Sequence, residues 1–384
     1  MGIVLAKVKV MTVFGTRPEA IKMAPVVLAL KKRTDEFIPV TVVTGQHREM
    51  LQQVLDIFKI KPDYDLNIMH QNQTLADITT RVLENLGPIV IKEKPDILLV
   101  HGDTTTTFAA ATAAFYQQVA IGHVEAGLRT WNKYSPFPEE MNRQLTDVLA
   151  DMYFAPTTTS RDNLLKENHP AKEIYITGNT AIDALQYTIH DDYHHAVLDL
   201  VDPQKRMILV TMHRRENQGE PMQRVFKVMR RVIDSYDDVE IVYPVHLNPV
   251  VQKAAHDILG NDPRIHLIDP LDVVDFHNLA ARSYFIMSDS GGVQEEAPAL
   301  GKPVLVLRDT TERPEGVAAG TLKLVGTQTA EVESAMRQLL DDPTEYKKMA
   351  EAKNPYGDGH ATERILDAIL YQYGDRQERP TEFK

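Results

Sequence analysis

Short apolar runs alternate along the chain with stretches whose apolar residues recur at three- and four-residue spacing. Residues 9–14 (KVMTVF) make a β-branched run, and 18–32 follow with helical spacing. Residues 39–44 (PVTVVT) precede a helical 48–58, and 96–100 (DILLV) precede a helical 104–116. Two more short apolar runs lie at 119–124 and 152–155. The second half repeats the pattern, with runs at 207–211 (MILVT), 240–244 (EIVYP), 265–268, 284–287 (YFIM) and 303–307 (PVLVL). Helical spacing there covers 222–235, 249–259, 273–281 and 332–340. Short continuous apolar runs between helices read as parallel strands covered on both faces. Two successive series of this kind predict two doubly wound, Rossmann-like α/β domains.

The joint is expected within 177–202, where the Thr177-Gly178-Asn179 turn, a short helical run and the polar HDDYHH of 190–195 interrupt the series. The predicted domains are 1–178 and 179–360. A turn-rich NPYGDG at 354–359 marks the end of the second. One more amphipathic helix is expected over 361–373, with Ile365, Ala368 and Ile369 on one face, and a frayed polar tail over the last ten residues. Residues 1–6 read as a short extension. Lys7 and Lys9 interrupt the apolar start, and no membrane-length apolar run occurs anywhere, so a cytoplasmic protein without a membrane partner is expected.

At 384 residues the chain exceeds what one core supports, roughly 250–300 residues, which agrees with two domains. The net charge of −12 argues against a nucleic-acid partner, but a few local cations and N–H groups can still hold a small anion. The absence of Cys excludes disulfides, thiolate nucleophiles and Cys-ligated zinc. No H-E-x-x-H occurs, and no G-x-G-x-x-G follows the first strand, so neither a metal nor a bound nicotinamide cofactor is expected.

In open α/β sheets ligands bind beyond the carboxyl ends of strands, so the segments just after each apolar run carry the candidates. After the first comes Gly15-Thr16-Arg17-Pro18-Glu19-Ala20-Ile21-Lys22, where a tight turn enters a helix with Arg17 and Lys22 near its mouth. It is not a Walker loop, and an ordinary helix start would look similar. After 96–100 comes His101-Gly102-Asp103-Thr104, in which Asp103 is either a turn residue or a carboxylate facing a crevice. Glu125 ends an apolar strand, a costly place for an unpaired carboxylate. Glu139 and Arg143 share a helical face at i, i+4 spacing, as a surface salt bridge would. Prolines on both sides of Phe137 suggest a fixed loop entering that helix.

In the second half, His213-Arg214-Arg215 after one strand suits a phosphate. His246 after the next, taken alone, is more often a hydrogen-bonded structural histidine than a catalyst. Ser290-Gly291-Gly292, opening a helix, would expose N–H groups to a diphosphate, with Glu296 one turn further on. Arg308 and Arg313 follow the last strand.

Together these segments closely resemble the non-hydrolysing UDP-N-acetylglucosamine 2-epimerase family. The resemblance rests on FGTRPEAIKMAP (14–25), HGDTTTT (101–107), HVEAGLRT (123–130), YSPFPEEMNR (134–143), TGNTAID (177–183), HRREN (213–217), YPVHLNP (243–249), DSGGVQEEAP (289–298) and RDTTERPEG (308–316). They occur in order and cover almost the whole chain. The resemblance implies a GT-B-type fold with the site in the interdomain cleft and the last helix, within 361–384, returning to the first domain. It also implies a homodimer that interconverts UDP-N-acetylglucosamine and UDP-N-acetylmannosamine for surface polysaccharide or wall teichoic acid.

For the residues, the resemblance implies a catalytic set of Asp103, Glu125, Glu139, His213 and Lys22. Arg17, Arg143, Ser290, Gly291, Gly292, Glu296 and Arg313 would bind UDP and sugar. Gln46, His47 and His246 are candidates for a second, regulatory UDP-sugar site. Trp131 stands where the family usually has glycine, and Met212 where it has a small residue. A hydrolysing epimerase, a GT-B glycosyltransferase and a non-catalytic UDP-sugar sensor are the rival readings.

Overall fold

Strand follows helix follows strand from Val8 onward, and the strands fall into two all-parallel sheets. The computed structural model describes residues 7–45, 48–70, 73–374 and 376–384. The expected extension at 1–6 lies outside the described residues. The first sheet contains β1 (Val8–Phe14), β2 (Phe37–Val43), β3 (Tyr64–Asp65), β4 (Ile97–His101), β5 (Ala120–Val124), β6 (Met152–Ala155) and β7 (Ile174–Ile176). Its order is β3-β2-β1-β4-β5-β6-β7. The second sheet contains β8 (Arg206–Thr211), β9 (Val239–Pro244), β10 (Ile265–Ile268), β11 (Phe285–Ser288), β12 (Val304–Val306) and β13 (Leu322–Leu324). Its order is β10-β9-β8-β11-β12-β13.

The central strands are apolar on both faces because helices cover both. Ile97, Leu98, Leu99 and Val100 of β4 are all fully buried, as are Ile208, Leu209 and Val210 of β8. That is why these runs lack the alternation of a half-exposed strand. In each sheet the strand order reverses once, between β1 and β4 and between β8 and β11. These are the switch points where ligands of doubly wound sheets bind.

The chain divides into two compact units. One runs to Ala184 and resumes at Gly357–Lys384; the other is Leu185–Tyr356. The division falls inside the helix Thr180–Thr188. The helix Ala361–Gln372 buries Ile365, Leu366, Ala368 and Ile369 in the first unit. Its start is held by Asp183, which accepts from the N–H groups of Ala361 (3.2 Å) and Thr362 (2.7 Å). Asp367 pairs with Arg33 at 3.0 Å.

The tail is not frayed, contrary to the expectation from its polarity. Phe383 is buried and its N–H donates to the Ile176 carbonyl at 2.8 Å. The Arg379 guanidinium lies 4.1 Å from the Tyr175 ring centre. One apolar residue and cation–π contacts, with the Arg364 guanidinium also 5.7 Å from the Phe383 ring centre, anchor an otherwise polar segment. β3, β7 and β13 went unpredicted because two or three residues show no periodicity. No helix was predicted over Leu75–Glu93, where Gly87 and Pro88 interrupt the signal; a capping box between Thr74 and Asp77 starts it nonetheless.

Candidate functional site

The turn after β1 is built tightly. A Cβ on Gly15 would lie 2.0 Å from the Thr44 hydroxyl and 3.1 Å from that of Thr106, so only glycine fits there. Thr16 caps the helix Arg17–Lys32 in a box with Glu19, and Pro18 stands in its first turn. Arg17 is half-buried and makes no ion pair among the described residues. One and a half turns on, Lys22 reaches across to pair with the Glu125 carboxylate.

Asp103 occupies the turn between β4 and the helix Thr105–Tyr116, which Thr104 caps. Arg143, from the helix Glu139–Leu149, pairs with it at 3.1 Å. Burial nonetheless pushes the Asp103 carboxyl up to about 6. Arg143 opposes that rise and the neighbouring Glu125 and Glu139 add to it. Arg143 does not pair with the Glu139 carboxylate as the i, i+4 spacing suggested. It is buried, its guanidinium goes to Asp103 and, at 3.6 Å, to Glu140, and it meets only the Glu139 carbonyl. Glu139 makes no ion pair among the described residues.

Glu125 lies just past β5 in the left-handed region, φ 67°. Its carboxylate receives Lys22 and, at 2.9 Å, the Asn179 amide. The His101 ring nitrogen Nε2 is 3.7 Å away. His101 is fully enclosed, and burial, against the pull of Glu125, drives its pKa down to about 3, so it is a neutral ring at any working pH. Asp103, Glu125, Lys22 and Arg143 thus form one charge-balanced cluster with a neutral imidazole behind it. Among the described residues no three His, Asp or Glu side chains gather as a metal would require.

The loop beyond Glu125 depends on buried anions. Glu140, fully buried, accepts from the N–H groups of Thr130 (3.0 Å) and Trp131 (2.9 Å). Burial works to raise its pKa, but those N–H donors and Arg143 outweigh it and hold it down. Trp131 is exposed and left-handed, φ 63°, where a glycine would be unstrained. Asp147 joins His123 (2.6 Å) to Arg129 (2.7 Å), and the other His123 nitrogen lies 2.7 Å from the Gly102 carbonyl beside Asp103. Gly127 combines φ 83° with a Cβ position 2.2 Å from the Ser160 carbonyl oxygen. Gly127→Ala should therefore cost about 3 kcal/mol or more, since strain and a backbone clash add. A melting temperature within ~2 °C of the wild type would contradict this packing.

In the second unit the β8 and β11 ends are adjacent. Buried Asp289 accepts from the N–H groups of His213 (3.0 Å) and Arg214 (2.9 Å) and from the Asn217 amide (2.9 Å). The His213 ring stacks on that of His246, 5.7 Å between centres at 11°. Burial lowers the His213 pKa; Asp289 opposes this, and His246 and Arg214 add to it. Met212 is buried, and its carbonyl accepts from Tyr243 Oη at 2.9 Å.

Ser290 precedes the helix Gly291–Glu296. Its N–H donates to Ser288 Oγ at 2.9 Å, so of the three N–H groups expected to face a diphosphate, this one is already engaged. Those of Gly291 and Gly292 open the helix and have no intrahelical acceptor. Arg313 lies against Gly291, its Nη1 2.7 Å from where a Cβ would sit, and its Nε donates to Glu295 at 2.7 Å. Glu296 sits beside Gly292 and meets His277 at 3.3 Å. Arg308 goes instead to Glu312 (2.8 Å) and Glu216 (3.3 Å). A cavity of about 420 Å³ opens past β10, lined by His195, Gln252, His256, Asp269 and Asp275 among others.

The candidates therefore form two groups. Asp103 and Glu125 lie at strand ends of the first unit, Lys22 and Arg143 pair with Glu125 and Asp103 from helices, Arg17 opens the helix after β1, and Glu139 opens the helix that carries Arg143. His213, Ser290, Gly291, Gly292, Glu296 and Arg313 lie at strand ends of the second, with His246. Gln46 and His47 lie outside the described residues. Sequence reasoning missed Glu19, Glu140, Asp147 and Asp289, the buried carboxylates that hold the loops. Only Glu19 carried a local signal, the T-x-x-E spacing from Thr16.

A family model described as UDP-N-acetylglucosamine 2-epimerase matches residues 28–370. A UDP-N-acetylglucosamine 2-epimerase of Bacillus subtilis (strain 168) is 64% identical over 379 residues, covering 99% of both chains. One of Escherichia coli (strain K12) is 54% identical, covering 94% of this chain and 98% of the relative. A crystal structure of the UDP-GlcNAc 2-epimerase of Neisseria meningitidis bound to UDP-GlcNAc superimposes with a TM-score of 0.85 at 50% identity, covering 94% of this chain and 100% of the other.

Proposed function

The chain belongs to the UDP-N-acetylglucosamine 2-epimerase family, and from that premise we propose that it interconverts UDP-N-acetylglucosamine and UDP-N-acetylmannosamine by eliminating UDP and adding it back. The carrying observation is the cluster at the β4 and β5 ends. It combines a carboxyl pushed up to about 6 (Asp103) with a carboxylate pinned by a lysine and an amide (Glu125).

The hydrogen on sugar carbon 2 has no adjacent carbonyl to acidify it. It becomes acidic once the bond from carbon 1 to the diphosphate oxygen lengthens and positive charge grows on carbon 1. The bonding pair leaves with UDP. The carbon 2 proton passes to a carboxylate, and its electron pair becomes the double bond of 2-acetamidoglucal. Return of a proton on the opposite face, with the diphosphate oxygen rejoining carbon 1, gives the epimer. Two faces need two proton carriers. Asp103, its carboxyl pushed up to about 6, and Glu139, which makes no ion pair among the described residues, serve as these. Glu125, paired with Lys22, opposes the growing charge on the sugar. Arg17, Arg313, His213 and the N–H groups of Gly291 and Gly292 take up charge on the departing diphosphate, with the Ser290 hydroxyl, and Glu296 accepts from the ribose hydroxyls.

The product feeds surface polysaccharide or teichoic acid assembly in this reading. Exposed Ile91, Phe115, Leu145 and Val148, on helices that pack on one another, supply an apolar surface for the homodimer. Among the described residues no helix is long and apolar enough to cross a membrane.

Incubation with UDP-N-acetylglucosamine alone, followed by NMR, tests the reaction. Both UDP-sugars should coexist at a constant ratio, with no acceptor and no accumulating free sugar. Free N-acetylmannosamine as the main product would indicate the hydrolysing reaction instead, and dependence on an acceptor would indicate a transferase.

A further inference from the structure

We propose that Glu19 is a positioning residue for this reaction, a single buried carboxylate that fixes the turn carrying Arg17 against the turn carrying Asp103; the proposal rests on the epimerase reading. Glu19 is 2% exposed. Its Oε2 accepts from the N–H groups of Gly15 (3.0 Å) and Thr16 (2.7 Å), in the turn after β1. Its Oε1 accepts from the hydroxyl of Thr104 (2.6 Å) and lies 2.9 Å from that of Thr107, whose one hydrogen it shares with the His101 carbonyl, at the start of the helix after β4. One oxygen thus serves each side of the switch point.

Both sides are rigid beyond these contacts. Thr104 caps its helix through the Thr107 N–H at 3.1 Å, and Thr107 Oγ1 lies 2.6 Å from the carbonyl of His101, the last residue of β4. The Gly15 turn presses on Thr44 and Thr106 with no room for a Cβ. Arg17 immediately follows the first pair of donors, and Asp103 immediately precedes Thr104. Rotation of either turn would change the distance between the cation meant for the diphosphate and the carboxyl meant for the proton.

A capping role alone does not require this residue. The helix Leu75–Glu93 has the same box made with an aspartate. There the Thr74 N–H donates to Asp77 at 2.8 Å and the Asp77 N–H donates to the Thr74 hydroxyl at 3.2 Å. Aspartate therefore suffices to cap a helix in this chain. The additional methylene of Glu19 is what lets its second oxygen reach Thr104 and Thr107.

That contrast supplies the test. Glu19→Asp keeps the cap and loses the bridge. Glu19→Gln keeps both, because its carbonyl can accept from Gly15 and Thr16 while its amide donates to threonine hydroxyls that turn to accept it. Glu19→Ala loses both. Melting temperature, UDP affinity by calorimetry, and kcat and KM should be measured for each. Glu19→Asp should melt within a few degrees of wild type, yet lose roughly tenfold to a hundredfold in kcat and bind UDP less well, as misplacement of about 1 Å does. Glu19→Gln should stay within about threefold of wild type. Wild-type kcat in Glu19→Asp would reduce Glu19 to a helix cap. A Glu19→Gln enzyme as slow as Glu19→Ala would also overturn the proposal, and that comparison stands even if Glu19→Asp melts early. A wild-type protein that fails to epimerise would sink the functional reading itself, a different result from either.

Discussion

Asp103→Asn should slow epimerisation by roughly 10²–10⁴-fold, the usual contribution of a positioned proton carrier, while leaving UDP affinity unchanged. Asparagine keeps the size of the side chain but cannot take up or release the proton. The wild-type kcat/KM should show a limb near pH 6, falling toward acid as the carboxyl becomes protonated, because that is where burial and the neighbouring Glu125 and Glu139 place it. The mutant's residual rate should lack the limb. Stability should move the other way. The folded-state pKa lies above the unfolded value of 3.8, so the folded protein binds more protons between about pH 4 and 6. The ionised carboxyl therefore destabilises the fold fully above pH 6, and less as the pH falls. With 31% of the side chain open to solvent, roughly 1 kcal/mol of that shift should be recovered, raising the melting temperature at pH 8 by about 2–4 °C. A mutant with wild-type turnover, or with an unshifted pH limb, would remove Asp103 from the chemistry.

Glu125→Gln should be the other severe substitution, slowing turnover by roughly 10²–10³-fold through loss of the charge that faces the sugar. Its stability effect has the opposite sign. The neutral amide would remove the carboxylate that pairs with the Lys22 ammonium, which is 13% exposed. Removing one partner of a buried pair costs about 3–5 kcal/mol, so the melting temperature should fall by ~5 °C or more. Adding Lys22→Met to Glu125→Gln should recover part of that stability and none of the rate. Equal losses of stability in Asp103→Asn and Glu125→Gln would show that the two carboxylates are not in the different environments described.

Much of this was legible in the sequence because parallel strands covered on both faces leave unbroken apolar runs, and polar residues just after such runs lie at carboxyl ends. Asp103, Glu125, His213 and Ser290 could each be placed that way. The partners could not. Arg143 is spaced to meet Glu139 and instead meets Asp103, far back in the chain, a partner that helical spacing cannot show. Asp289 is local to Ser290 in sequence, yet its partners are backbone N–H groups at 213 and 214, supplied by the neighbouring strand's loop. Backbone donors leave no residue-type signature. Glu140, held by the N–H groups of Thr130 and Trp131, was hidden in the same way, and Asp147 by the distance along the chain to His123 and Arg129. The packed tail depends on Phe383 and on Arg379 against Tyr175, too little to register against the other polar and charged residues.

The central claim is that UDP leaves and returns while the carbon 2 proton exchanges with the site. Running the reaction with UDP-N-acetylglucosamine in D₂O and reading carbon 2 by NMR and mass spectrometry tests it directly. Each molecule of UDP-N-acetylmannosamine formed should carry solvent deuterium at carbon 2, and recovered substrate should acquire it on prolonged turnover. Product that retains its original hydrogen at carbon 2 would contradict the elimination and the proton-carrier roles of Asp103 and Glu139.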